Sequence, residues 1–269
     1  MNKIQRISIC IALLWTVISC QTVPITGRRQ LNIVPDSEMN AMALQAYSKF
    51  IAENKTLSND QASMVKRVGA RVQQGLERLL RERNQLAAIQ GFNWEYNLVD
   101  SKEANAWCMP GGKVVVYSGL LPITQNEAGL AVVMGHEIAH AVARHGGERA
   151  SQQMVASGLL QAGQVAVSAK PTMINQIILQ AAGAATQLGV LSHSRSQESE
   201  GDEIGLYVSA LAGYDPQESV RLWQRMAEAS KNSQKPPEFL STHPSESTRI
   251  SRLKKLMPKA MQYYNQSGR

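Results

Sequence analysis

From Ala131 to Val142 the chain is apolar at every position except Gly135, His136, Glu137 and His140. A helix that is apolar all round belongs inside a fold, so the rest of the chain has to cover it. Buried imidazole and carboxyl groups without partners are costly, so the fold must also satisfy these three side chains. Four residues are slightly more than one helical turn, which sends His136 and His140 out of one face where they can share a metal ion. Glu137 lies about 100° further round, close enough to act on a water at that ion without ligating it. The residue types suit this task as well as the spacing does. A zinc ion draws the pKa of a water from about 15.7 towards 7 and polarises a carbonyl, and a carboxylate is needed to take the proton.

Two imidazoles and a water leave a tetrahedral zinc one protein ligand short. One known pattern supplies a histidine at position 146 with glycine at 143, but the chain has Ala143 and Gly146. His145, His193, His243 and the downstream carboxylates remain as candidates, and the richest segment is Ser194–Asp202. There, a spacing of four residues puts Glu198 and Asp202 on one helical face. Glu200 points elsewhere and reads as a solvated charge, while His145 and His193 read as structural.

The pattern around this stretch is helical on both sides of a short extended region. Asp36 opens a helix to about Glu53, with Met39, Ala43, Tyr47 and Phe50 at helical spacing. A second runs from about Asn59 to Leu86 on a stripe of Val65, Val68, Val72, Leu76, Leu79 and Leu80. From Phe92 to Leu98 the period becomes two, which marks a half-buried strand. Pro110-Gly111-Gly112 signals a turn, and Lys113–Tyr117 reads as another short strand. Beyond Asn126 everything is helical, and residues 155–191 read as two closely packed helices broken at Lys170-Pro171. The order predicts an α+β domain, mainly helical, with a small β-sheet.

The first nineteen residues have a basic start at Lys3 and Arg6, an apolar run from Ile7 to Ile18, and then Ser19-Cys20. This is a signal peptide in outline, too short to span a bilayer of about 30 Å comfortably. Val17-Ile18-Ser19-Cys20 resembles a bacterial lipobox, with Ile18 where a small residue is usual, and implies acylation of Cys20. Residues 20–35 read as an extended, lipid-anchored tether. Cys108 is then the single thiol left, and it reads as a small packed hydrophobe. After residue 19 there are 26 basic and 21 acidic groups, a formal charge of +5. These groups are dispersed and lack interleaved aromatics, so no nucleic-acid partner is expected.

His136-Glu137-Ile138-Ala139-His140 followed by Glu198 and Asp202 resembles the gluzincin metallopeptidases related to HtpX, the CAAX prenyl proteases and the periplasmic lipoproteins of BepA and LoiP type. The resemblance covers most of residues 36–256. It implies a zincin-like metallopeptidase domain over 36–269, one zinc per chain, Glu198 as third ligand and Asp202 as a carboxylate supporting a ligand. Asn105-Ala106 and the segment from Pro110 to Leu120 look like the family's edge strand, which pairs with extended peptide. Ser241–Ser245 with Arg249 resembles a further family segment near the cleft. It implies His243 as a gate or oxyanion group and Arg249 as the residue that orients it, although Pro244 equally suits a helix start. No tandem-repeat extension is expected after residue 265. The expected function is zinc-dependent endopeptidase activity on polypeptides of a bacterial cell envelope, on the periplasmic face of the outer membrane. The alternatives are an envelope chaperone or assembly scaffold with a latent zinc site, and a hydrolase of cell-wall or lipid-linked substrates.

Overall fold

The computed structural model describes residues 20–156, 193–231, 237–243 and 247–268. The expected signal segment lies outside them, as does the helix pair expected over residues 155–191 apart from its first two residues, which end the helix His145–Ala156. In chain order the elements are β1 (Cys20–Thr22), β2 (Arg29–Leu31), α1 (Asp36–Glu53), α2 (Asp60–Glu82), β3 (Glu95–Val99), β4 (Ala106–Met109), β5 (Lys113–Tyr117) and α3 (Leu121–Thr124). They continue with α4 (Glu127–Val142), α5 (His145–Ala156), α6 (Arg195–Leu211), α7 (Glu218–Lys231), α8 (Glu238–Thr242) and α9 (Ser247–Asn265). This is the mainly helical α+β domain that the sequence predicts. Among the described residues no helix is long and apolar enough to cross a membrane.

The apolar helix α4 sits at the centre. Asn126 caps its start by accepting from the Gly129 amide at 2.8 Å. Helices α2 and α6 pack on it, and α2 contributes the fully buried stripe Val65, Val68, Val72, Leu76, Leu79 and Leu80. Burying each such side chain stabilises the fold by about 1.5–3 kcal/mol. α2 stops at Glu82, short of the expected Leu86, because Asn84 adopts a left-handed backbone with φ of 56°.

The approach of α4 to α6 is set by glycine. A Cβ on Gly135 would lie 2.6 Å from Ser209 Oγ, and one on Gly205 would lie 2.7 Å from the His136 amide nitrogen. With no side chains between them the two backbones touch. Residues on facing sides of α4 and α6 therefore reach a common point.

The three-stranded sheet has the order β3-β5-β4, with β3 parallel and β4 antiparallel to β5. β5 is central and buried at all five positions, Val114 and Val116 facing the main core and Val115 and Tyr117 facing α1. β3 and β4 are the two edges, so the Pro110–Leu120 segment, expected to supply the edge strand, forms the central strand instead because β5 pairs on both sides; the edge that runs beside α4 is β4. Phe92 and Trp94, expected to open a strand, precede the ladder; Trp94 stacks with Tyr96, and Phe92 packs at a tilt against Trp94.

Residues 20–35, expected as a tether, are docked on the body. β1 and β2 form an antiparallel hairpin in which Val23, Gln30 and Val34 are buried. Its turn passes through Ile25 and Gly27, both at positive φ, and Ile25 is held by Gln85 and Arg83. The composition of this segment suggested a loose linker, whereas hydrogen bonds to α5 and to the end of α2 fix it.

Candidate metal centre

His136 and His140 on α4 present Nε2 atoms 3.0 Å apart. Glu198, one turn into α6, straddles them, with Oε2 3.5 Å from His136 Nε2 and Oε1 3.4 Å from His140 Nε2. α6 starts at a capping box between Ser194 and Gln197, which satisfies the first amides of the helix that carries Glu198. Gly201, one turn further along α6, leaves room for both rings, since a Cβ there would lie 2.9–3.0 Å from their atoms. Donors bonded to zinc at 2.0–2.1 Å in a tetrahedron stand about 3.3 Å from one another. The observed spacings match, and two imidazoles with a carboxylate are a donor set that zinc accepts.

A fourth donor joins them. His243, at the end of α8, has Nδ1 3.1 Å from His136 Nε2 and 2.8 Å from Glu198 Oε1. His136, His140, Glu198 and His243 thus form a buried group able to hold an ion. The Nε2 of His243 lies 3.3 Å from Glu137 Oε1. Burial pushes the Glu137 carboxyl up from its ordinary range.

Behind His136 stands Asp202, with Oδ1 3.1 Å from Nδ1. Arg249 of α9 grips Asp202 through Nε and Nη2 at 2.7 and 2.8 Å and reaches Glu198 Oε2 at 2.7 Å. Its guanidinium lies 3.5 Å over the ring of Trp223. Burial disfavours the charged form of His136, but Glu198 and Asp202 outweigh it and raise the imidazole to about 9. Burial likewise opposes the Asp202 and Glu198 charges, and the surrounding cations still hold both carboxyls below their usual range. Burial keeps His140 well below the ordinary imidazole value.

The structure therefore brings together His136, Glu137, His140, Glu198, Asp202 and His243, with Arg249 among them. It differs from the sequence reading at three residues. Glu200 is a buried acid rather than a solvated one, bonded to Thr26, Arg28 and His145. His145 and His193 both adjoin His140, His145 through a 2.6 Å contact between Nδ1 atoms and His193 by stacking at 3.8 Å. Helical spacing carries no sign of these contacts. Glu200 faces away from Glu198 towards a segment 172 residues earlier in the chain. His145 is brought back towards His140 by Arg144, which adopts a left-handed backbone with φ of 57°. The cleft leading to the centre is lined by Asn105, Trp107 and Cys108 beside β4, and by Glu137, His193 and His243. Cys108 packs against the core, and burial pushes its thiol up.

A mainly helical domain that places paired imidazoles and a carboxylate around one point beside a buried glutamate defines a zincin-like metallopeptidase. The profile of Peptidase family M48 matches residues 67–257, and the chain belongs to that family. Membership implies zinc as the metal. The chain is 38% identical over 187 residues to the mitochondrial metalloendopeptidase OMA1 of Saccharomyces cerevisiae, across 66% of this chain and 51% of that one. It is 31% identical over 251 residues to the OMA1 enzyme of Schizosaccharomyces pombe, across 88% and 66% of the two chains. With the β-barrel assembly-enhancing protease of Escherichia coli it shares 30% over 161 residues, across 59% and 33%. The chain spans from about a third to two thirds of the length of these curated relatives. Family and relatives agree with the expected class, a zinc metalloendopeptidase.

Proposed function

We propose that this chain hydrolyses internal peptide bonds in cell-envelope proteins, as a protein quality-control endopeptidase, with His136, His140 and Glu198 holding one zinc ion. The observation that carries the reading is the buried meeting of these donors at tetrahedral spacing beside Glu137. Zinc, when bound there, polarises the scissile carbonyl and acidifies a water. Glu137 takes the proton from the attacking water and returns it to the leaving amine. Asp202, with Oδ1 3.1 Å from His136 Nδ1, favours the proton on Nδ1 and so leaves the Nε2 lone pair for the metal. His243 acts as a gate or steadies the developing oxyanion, and Arg249 fixes the carboxylates around it. Extended substrate adds to the free edge of β4, whose backbone groups lie along the cleft.

The envelope assignment is supported by the apolar run before Ser19-Cys20 and by the name of one relative, a β-barrel assembly-enhancing protease. The OMA1 relatives are named as mitochondrial. In this reading residues 1–19 are a signal peptide, and acylated Cys20, at the start of the docked hairpin, holds the enzyme to the periplasmic face of the outer membrane. A second reading, a scaffold or chaperone with a latent zinc site, is favoured by His243, whose Nδ1 lies inside the donor group where a water would enter.

Glu137→Gln separates the two readings. It is expected to retain zinc and fold while losing cleavage of unfolded casein by about 10²–10⁴-fold. Wild-type cleavage by that variant removes Glu137 as the base. Absence of cleavage by the zinc-loaded wild type leaves the scaffold reading.

A further inference from the structure

The imidazole of His140 has two ring nitrogens to account for. If Nε2 faces the metal, as the proposed function has it, that atom presents a lone pair and the ring proton is on Nδ1. Nδ1 lies 2.6 Å from His145 Nδ1, so His145 has to accept there and carry its own proton on Nε2. His145 Nε2 lies 3.1 Å from Glu200 Oε2 and donates to it. One tautomer choice at the metal therefore fixes every proton along a chain that ends at a carboxylate.

Glu200 is held from the other side by the N-terminal hairpin. Arg28 Nε donates to Glu200 Oε2 at 2.6 Å, and the Thr26 hydroxyl donates to Oε1. The remaining fork of Arg28 engages Glu148 of α5 in a bidentate pair at 2.7 Å for each bond, and Glu148 also accepts from Gln197 of α6. Arg28 thus joins α5 and α6, the two elements that carry His145 and Glu200. His145 is fully buried, and Glu200 and Glu148 are nearly so. In such surroundings a missing partner is not replaced by solvent.

The triad His140, His145 and His193 also satisfies the spacing for a metal of its own. A second ion there would need His140 to bind through both nitrogens, next to the Arg149 guanidinium that contacts His193. A neutral imidazole chain ending on Glu200 uses the same distances without either demand.

We propose that Arg28, Glu200 and His145 are positioning residues for His140: docking of the hairpin sets the ring orientation and tautomer of this ligand, and so couples the N-terminal segment to metal affinity. The inference rests on His140 being a zinc ligand.

The test uses the full chain and reads metal binding rather than cleavage. In Arg28→Gln and Glu200→Gln, competition with a chelator should show zinc held about tenfold to a hundredfold more weakly. The visible absorption bands of the cobalt(II)-substituted protein should shift in both, and Arg28→Lys should restore part of the affinity. A lowered melting temperature with unchanged zinc affinity and cobalt spectrum would mean that the hairpin is structural packing alone, which overturns the coupling. Should Arg28→Gln and Glu200→Gln fail to fold, Thr26→Val decides the matter. It removes one hydrogen bond to Glu200 and leaves the ion pairs, and unchanged affinity and spectrum there overturn the proposal. His140→Ala separates the two layers. Zinc retained at wild-type strength by that variant removes the ligand reading itself, whereas loss of zinc in it with no effect at Arg28 or Glu200 removes only the coupling.

Discussion

The two imidazoles of α4 are backed by similar devices built from different materials. Behind His136 stands a carboxylate of α6, Asp202, gripped by Arg249 from the C-terminal helix. Behind His140 stands another carboxylate of α6, Glu200, gripped by Arg28 from the N-terminal hairpin, with His145 inserted between. The first arginine is 3% exposed at its side chain and stacked on Trp223, while the second is 27% exposed. Charges removed from water depend wholly on their partners, whereas partly solvated ones share the load with water. The His136 side is therefore fused to the core, and the His140 side is adjustable from the surface.

Substitutions at matched places should expose this asymmetry. The largest effect is expected from Asp202→Ala, which leaves Arg249 and His136 facing a buried gap and should cost about 3–5 kcal/mol in denaturant unfolding of the metal-free chain. Next comes Gly201→Ala, whose methyl would press on both rings and should cost about 1–3 kcal/mol while displacing the ligands. Its zinc affinity, measured by chelator competition, should fall although α6 remains helical by circular dichroism. The smallest effect is expected at Glu148→Gln, because the amide keeps an oxygen for Arg28 and Gln197 to donate to and only the charge is lost; the cost should be about 1 kcal/mol. If Glu148→Gln destabilises the chain as much as Asp202→Ala does, the two sides are equally rigid and the contrast fails.

Much of this centre was legible in the sequence, for local reasons. Helix geometry puts His136, Glu137 and His140 together on an all-apolar helix and Glu198 and Asp202 on one face, but the choice of Glu198 as third ligand came from the family resemblance. The bounds of α1 follow likewise from its apolar periodicity, and the position of β5 from the apolar run that follows the Pro110-Gly111-Gly112 turn. Glu200 and the hairpin were not legible, because their meaning comes from residues far apart in the chain. A segment containing Pro24, Gly27 and Pro35 looks like a linker until Arg28 finds two carboxylates on other elements. Periodicity assigned Glu200 to the outer face of its helix, and only the tertiary packing of residues 20–31 turned that face inward. The identification of β4 as the sheet edge needed its pairing with β5, which no local pattern supplies.

The contact between Gly135 and Gly205 has a consequence for which ions the centre admits. An ion of larger radius than zinc lengthens each bond to its donors, and the natural response would be for the two helices to part. Their backbones already touch, and separating them would open the packed interior on both sides of the crossing. The strain would fall instead on side-chain rotamers and on His243, which hangs from the end of a five-residue helix rather than from the crossing. With zinc held as proposed, helix spacing would therefore resist a larger ion in addition to whatever preference the donor atoms have.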